Sequence, residues 1–160
     1  MLYWIFDLDS TLYQLDDKTP FEYELLQPNI QLSYLIKKLP LKKIIFTNGT
    51  LGHAHICINK IQLKYCFHNI VARDTIKDLK PANSAFIKFM EANNIIGEDK
   101  CVFFDDMPDN LIVAKTHGWI TVLISPNNTI HENIDFHFSN IHVALNYFLS
   151  KIDNRKKSFI

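Results

Sequence analysis

Two aspartates one residue apart, Asp7 and Asp9, follow the apolar run Tyr3-Trp4-Ile5-Phe6 at the start of a 160-residue chain. Ionised carboxylates this close to a buried strand repel each other and lose solvation, so they call for a cation or a shared proton. A second acidic pair, Asp105 and Asp106, closes the run Cys101-Val102-Phe103-Phe104. Between the pairs, Thr47 and Asn48 end the run Ile44-Ile45-Phe46, and Lys80 stands directly before Pro81. Gathered in one cleft, four carboxylates, a hydroxyl and an ammonium suit a hard divalent cation and a phosphate together. Magnesium takes carboxylate oxygens and keeps positions for water or substrate, while Thr47 and Lys80 can orient and neutralise phosphate oxygens. Taken singly, each has an ordinary use: Asp7 as a turn or cap residue, Lys80 as a solvated loop lysine, Thr47-Asn48-Gly49 as a turn. Their chemistry depends on convergence.

Convergence depends on the elements. Short, continuously apolar runs read as strands buried on both faces, and they fall at Tyr3 to Phe6, Lys42 to Phe46, Phe67 to Ala72, Cys101 to Asp105 and Ile120 to Ile124, with a shorter one at Phe136 to Phe138. Helical spacing fills the intervals. It runs from Asn29 to Leu39 between Pro28 and Pro40, from Leu51 to Leu63, from Pro81 (as the first helical residue) to before Gly97, from Pro108 to His117 ahead of Gly118, and from Ile141 to Ile152. Arg73 to Lys80 reads as a polar loop, Asp109 as the cap of the Pro108 helix, and Asp153 to Lys157 as a charged, frayed tail. Strands alternating with helices predict a three-layer α/β/α Rossmann-like fold, with a mostly parallel sheet of five to six strands and right-handed crossovers. In such a sheet all the reactive strand ends fall on one edge.

Composition narrows the class. With 48% hydrophobic and 21% charged residues the chain is globular rather than disordered. Seventeen basic and seventeen acidic residues leave no net charge, so nothing attracts nucleic acid or an anionic membrane in bulk. No apolar run reaches the length of a membrane span, and no leader precedes the first strand; a single cytoplasmic domain, residues 1–160, is expected. Cys57, Cys66 and Cys101 form no CxxC pair and are expected as reduced, buried thiols. The seven histidines include no HxxxH, and no zinc site is expected.

These motifs, in this order, resemble the haloacid dehalogenase-like (HAD) phosphohydrolase superfamily. Asp7-Leu8-Asp9-Ser10-Thr11 matches its DxDxT motif, Thr47 its strand-ending hydroxyl, Lys80-Pro81 its lysine, and Asp105-Asp106 its paired acids, with Asn110 at a spacing seen in many members. The segments FDLDSTLY, TNGTLGHA and FFDDMPDN are most similar to the pyrimidine 5′-nucleotidase-like branch, in which His-Ala follows the second motif as His53-Ala54 does here. Ser10 stands where that branch usually has Asn. The branch also inserts a large helical cap between the first two motifs, whereas only residues 12–46 separate Thr11 from Thr47, which leaves 12–40 for a much reduced cap.

The resemblance implies roles. Asp7 would be the nucleophile that forms an aspartyl-phosphate, and Asp9 the acid for the leaving oxygen and then the base for water. Asp7, Asp105 and the backbone carbonyl of Asp9 would hold Mg²⁺, with Asp106 assisting directly or through another group. Thr47, Asn48 and Lys80 would bind phosphate; His53 and Asn110 are candidate substrate contacts, though His53 fits the surface equally well. A small phosphorylated metabolite is the expected substrate, a nucleoside 5′-monophosphate the first candidate. A macromolecular phosphoester in an open cleft, a non-catalytic HAD-fold binding module and a phosphomutase stay open as alternatives, as does the choice between monomer and homodimer.

Overall fold

The computed structural model describes residues 1–14, 23–127 and 130–157. Six strands form one sheet: β1 (Leu2–Phe6), β2 (Lys42–Phe46), β3 (Asn69–Val71), β4 (Lys100–Asp105), β5 (Ile120–Ile124) and β6 (Phe136–Phe138). Every pairing is parallel and the spatial order is β3-β2-β1-β4-β5-β6. The chain therefore winds outward from β1 in one direction through β2 and β3, and in the other through β4, β5 and β6. The reversal lies between β1 and β4, where Phe6 pairs with Phe104. Open α/β sheets bind ligands beyond the strand ends at such a point.

Both faces of the sheet are buried, and β1 shows how. Trp4 and Phe6 point to one side and join Leu32, Leu35 and Ile36 of α1 (Ile30–Lys38), Ala54 and Ile58 of α2 (Leu51–Lys60), and Leu145 and Phe148 of α6 (Ile141–Lys157). Tyr3 and Ile5 point to the other, against Phe86 and Phe89 of α4 (Asn83–Ala92) and Leu111 and Ala114 of α5 (Pro108–Thr116). Strict alternation within strands that look uniformly apolar is what a three-layer α/β/α sandwich requires. Phe6 and Phe104 stack at 4.8 Å, and Phe46 and Phe89 at 4.4 Å, so aromatic rings fill both layers next to the sheet edge that carries the acids.

Several boundaries differ from expectation. The expected loop from Arg73 to Lys80 contains a one-turn helix, α3 (Arg73–Ile76), whose backbone bonds with the Thr75 side chain. Pro81 does not open the next helix: α4 starts at Asn83, and the Lys80–Pro81 peptide bond is cis. At α5, Met107 rather than Asp109 holds the N-cap position and Pro108 opens the helix. The final helix continues to Lys157 instead of fraying after Ile152. Of the expected reduced cap at 12–40, residues 15–22 lie outside the described residues. Its α1 portion is packed on the sheet as the β1–β2 crossover helix. A single 3-10 turn occupies Tyr23–Leu25. Among the described residues, no helix is long and apolar enough to cross a membrane.

Candidate active site

The turn after β1 starts the site. The Asp7 backbone N–H donates to the Phe104 carbonyl at 2.8 Å, continuing the β1–β4 ladder one residue past the strand and fixing Asp7 at the reversal point. Ser10 then adopts a left-handed conformation, with φ of 61°. This bends the chain back so that the Leu12 and Thr11 N–H groups reach the Leu8 carbonyl. Thr11 is fully buried, and its hydroxyl donates to Asp7 Oδ2 at 3.2 Å.

Lys80 stands at the centre. Its side chain is 1% exposed, and its ammonium donates to Asp7 Oδ1 at 2.8 Å, Asp105 Oδ2 at 2.7 Å and the Phe46 carbonyl at 2.8 Å. An ammonium has three hydrogens, and all three are taken. The same nitrogen lies 5.1 Å from the ring centroids of Phe46 and Phe103, which form an aromatic floor beneath the charge. Burial alone would lower its pKa, but the carboxylates of Asp105 and Asp7 outweigh that and raise it.

Asp105 is also fully buried. Its Oδ1 accepts from the Met107 N–H at 2.8 Å, and the Asn110 amide donates to Oδ1 at 3.1 Å and Oδ2 at 3.0 Å. Burial raises its pKa to about 6, with Lys80 opposing and Asp7 adding to the shift. Asp106 is raised to about 6 by burial and then by Asp105. Asp7 is raised by burial, partly offset by Lys80. Carboxyl oxygens of Asp7, Asp105 and Asp106 lie within 4.8 Å of one another. With Lys80 the only buried ammonium touching them among the described residues, three acids face one cation.

The expected residues line one cleft of about 210 Å³: Asp7, Asp9, Thr47, Lys80, Asp105 and Asp106 all reach it. A groove of about 420 Å³ beside α2 and β3 is larger but holds no convergent acids. Asn48 and Asn110 line the first cleft too, and these two and His53 each also bond another site residue. Asn48 spends its amide on the backbone of Lys80, donating to the carbonyl at 2.8 Å and accepting from the N–H at 2.8 Å. It therefore sets where Lys80 stands. Asn110 is buried on Asp105 and holds that carboxylate in place. His53 places Nε2 at 2.9 and 3.0 Å from the two Asp9 oxygens. Thr47 is buried beside the cleft, where its hydroxyl accepts from the Gly49 N–H at 2.9 Å and keeps its own hydrogen to donate.

Tyr13 escaped sequence reasoning. Its hydroxyl donates to Asp9 Oδ1, and it lies 3.2 Å from Cys57 Sγ. The only signal available was its four-residue spacing from Asp9, which is meaningless until the turn's shape is known. Asp9, His53 and Cys57 also come within 4.8 Å of one another. The sulfur is almost equidistant from the two ring nitrogens, at 3.6 and 3.7 Å.

No protein-family model matches the sequence. Solved structures share the fold. An L-2-haloacid dehalogenase from Xanthobacter autotrophicus, with chloropropionic acid covalently bound, superposes with a TM-score of 0.65 at 15% identity, covering 85% of this chain and 68% of that one. The HAD-hydrolase YfnB from Bacillus subtilis, bound to magnesium, gives 0.65 at 13% identity over 92% of this chain and 98% of that one. A HAD phosphatase from Thermococcus onnurineus gives 0.65 at 17% over 93% and 98%. At such identities the likeness establishes the architecture, and the chemistry has to come from the site.

Proposed function

We propose that this chain, which has the fold of the haloacid dehalogenase superfamily, is a single-domain, Mg²⁺-dependent phosphomonoesterase acting through a phosphorylated Asp7. The observation that carries this is the charge balance of the cleft. Asp7, Asp105 and Asp106 converge against Lys80 alone, leaving two negative charges in excess among hard oxygen donors. That donor set fits a magnesium ion. Asp7, Asp105, Asp106 and the Asp9 carbonyl would hold it. Once bound, it would offset the excess charge and polarise a phosphoryl oxygen.

The chain's own groups supply the rest. Lys80 and Thr11 fix the two oxygens of Asp7, so the nucleophile meets phosphorus in one orientation. Attack by an Asp7 oxygen forms the O–P bond of an acyl phosphate as the bond to the ester oxygen breaks. Asp9 gives its proton to that departing oxygen and then takes one from the water that hydrolyses the acyl phosphate, which restores Asp7. Thr47 donates its hydroxyl hydrogen to a phosphoryl oxygen. Asn48 and Asn110 act by holding Lys80 and Asp105. A displacement of halide would need neither the proton on Asp9 nor the surplus of carboxylates.

The volume of the cleft bears on the phosphoryl group rather than on the whole ester. About 210 Å³ admits a phosphoryl group and little else, below the usual size of a whole-ligand site, so the alcohol portion rests outside. Nucleoside 5′-monophosphates head the compounds to assay. The test is phosphate release from p-nitrophenyl phosphate, nucleotides, sugar phosphates and phosphopeptides, with and without Mg²⁺, beside halide release from 2-chloropropionate. Mg²⁺-dependent phosphate release that vanishes in Asp7→Asn supports the proposal. Halide release without metal, or equal inactivity of wild type and Asp7→Asn toward every ester, overturns it.

A further inference from the structure

We infer that His53 is a positioning residue for Asp9, and that Tyr13 and Gly49 complete the device that holds it. This rests on Asp9 being the acid and base of the proposed reaction. A proton shuttle on a turn needs its carboxyl held in one place, because each group it serves must lie within hydrogen-bond reach. Asp9 lies beyond the strand ladder, three residues past β1 and next to the left-handed Ser10, with an isolated backbone bridge to Tyr13 and its side chain 30% exposed. What fixes it comes from elsewhere in the chain. His53 Nε2 spans both oxygens at 2.9 and 3.0 Å, and Tyr13 donates to Oδ1. Oδ1 thus takes two partners and Oδ2 shares one, which leaves Oδ2 as the oxygen able to carry the mobile proton.

The ring of His53 is in turn fixed on both sides. Its backbone N–H is anchored to the Thr50 hydroxyl at 3.2 Å, in the first turn of α2. Cys57, one turn further on, brings its sulfur to 3.6 and 3.7 Å from the two ring nitrogens. On the other side is Gly49, where a Cβ would come within 2.6 Å of His53 Cδ2. No positive φ requires a glycine at this position; the space is needed by the imidazole. A Cβ there would also stand 3.3 Å from Thr47 Oγ1, so Gly49 reaches the shuttle through His53 and the phosphate side of the cleft through Thr47.

The test reads kcat/KM across phosphate monoesters of rising leaving-group pKa, on variants whose folding is checked by thermal melts. An alkyl alcohol must be protonated as it departs, whereas p-nitrophenolate leaves without help. His53→Ala is expected to lower kcat/KM on an alkyl phosphate by roughly 100-fold, the low end of a general-acid contribution, and on p-nitrophenyl phosphate by no more than about threefold. Tyr13→Phe should show the same pattern more weakly, and His53→Gln, which keeps an N–H donor, should recover part of the loss. Gly49→Ala should add the same dependence on leaving-group pKa and leave that dependence unchanged in a His53→Ala background, while any loss through Thr47 falls equally on both esters. Equal losses on both esters from His53→Ala, or a leaving-group dependence that Gly49→Ala steepens further in the His53→Ala background, overturn the positioning role. Wild type inactive on every ester overturns instead the functional proposal beneath it.

Discussion

Lys80 has three ammonium hydrogens and three protein acceptors, two of them carboxylates. The residue is therefore a counter-charge that lets Asp7 and Asp105 coexist side by side. Removing one partner of a buried ion pair leaves an uncompensated charge and typically costs about 3–5 kcal/mol. Lys80→Met is accordingly expected to lower unfolding free energy by roughly that amount in denaturant titration without metal, and added Mg²⁺ should recover part of it while activity stays absent. A change below about 1 kcal/mol would show that the pair is not the internal ion pair described here. At the same scale, Ser10 pays for its left-handed φ of 61°. Asparagine tolerates that region better than most residues. Ser10→Asn should raise the melting temperature by a few degrees with the catalytic constants unchanged, as scanning calorimetry and steady-state assays would show.

At the scale of elements, the site is made by where strands stop and helices begin. β1, β2 and β4 deliver Asp7, Thr47 and Asp105 to one edge, and the first turn of α2 brings His53 back across β1 to Asp9. Thr50 caps that turn, so Thr50→Ala should cost about 1 kcal/mol and shift the leaving-group dependence in the direction of His53→Ala. An unchanged profile would detach α2 from the shuttle. These relations also explain what was legible in the sequence. The strands stood out because a segment buried on both faces is apolar throughout, and the acids ending them were readable as a set. What Asn48, Asn110 and His53 hold was not legible for one reason: an amide or imidazole near a cleft can bond a neighbouring residue as well as face a ligand, and those bonds depend on distances of a few ångströms between elements far apart in sequence. The one-turn α3 was invisible because four residues, Arg73–Ile76, are too few to show a helical period.

Across the whole molecule, chain reversal between β1 and β4 puts an acid-rich pocket into a protein of zero net charge. Burial raises Asp105 and Asp106 from an ordinary 3.8 to about 6. A raised carboxyl favours the folded state while protonated. Its contribution is thus complete below the unfolded value and is lost as pH rises through about 6. Magnesium binds the ionised form, so its effect runs the other way. The gain in melting temperature on adding Mg²⁺ should be small near pH 5 and grow through pH 6 to a plateau above about 7. A gain independent of pH over that range would place the ion elsewhere.

A phosphoryl group carried on Asp7 defines the proposed reaction. It is tested most directly by incubating Asp9→Asn with p-nitrophenyl phosphate and Mg²⁺, quenching in acid, and mapping the peptide that gains the mass of one phosphoryl group. The leaving group needs no proton, so Asp7 should be phosphorylated, and loss of the base should leave the adduct standing. The expected result is a stoichiometric adduct on the peptide holding Asp7, absent from Asp7→Asn and absent without metal. An active wild-type enzyme that gives no adduct in Asp9→Asn, or carries it on another residue, would contradict the account.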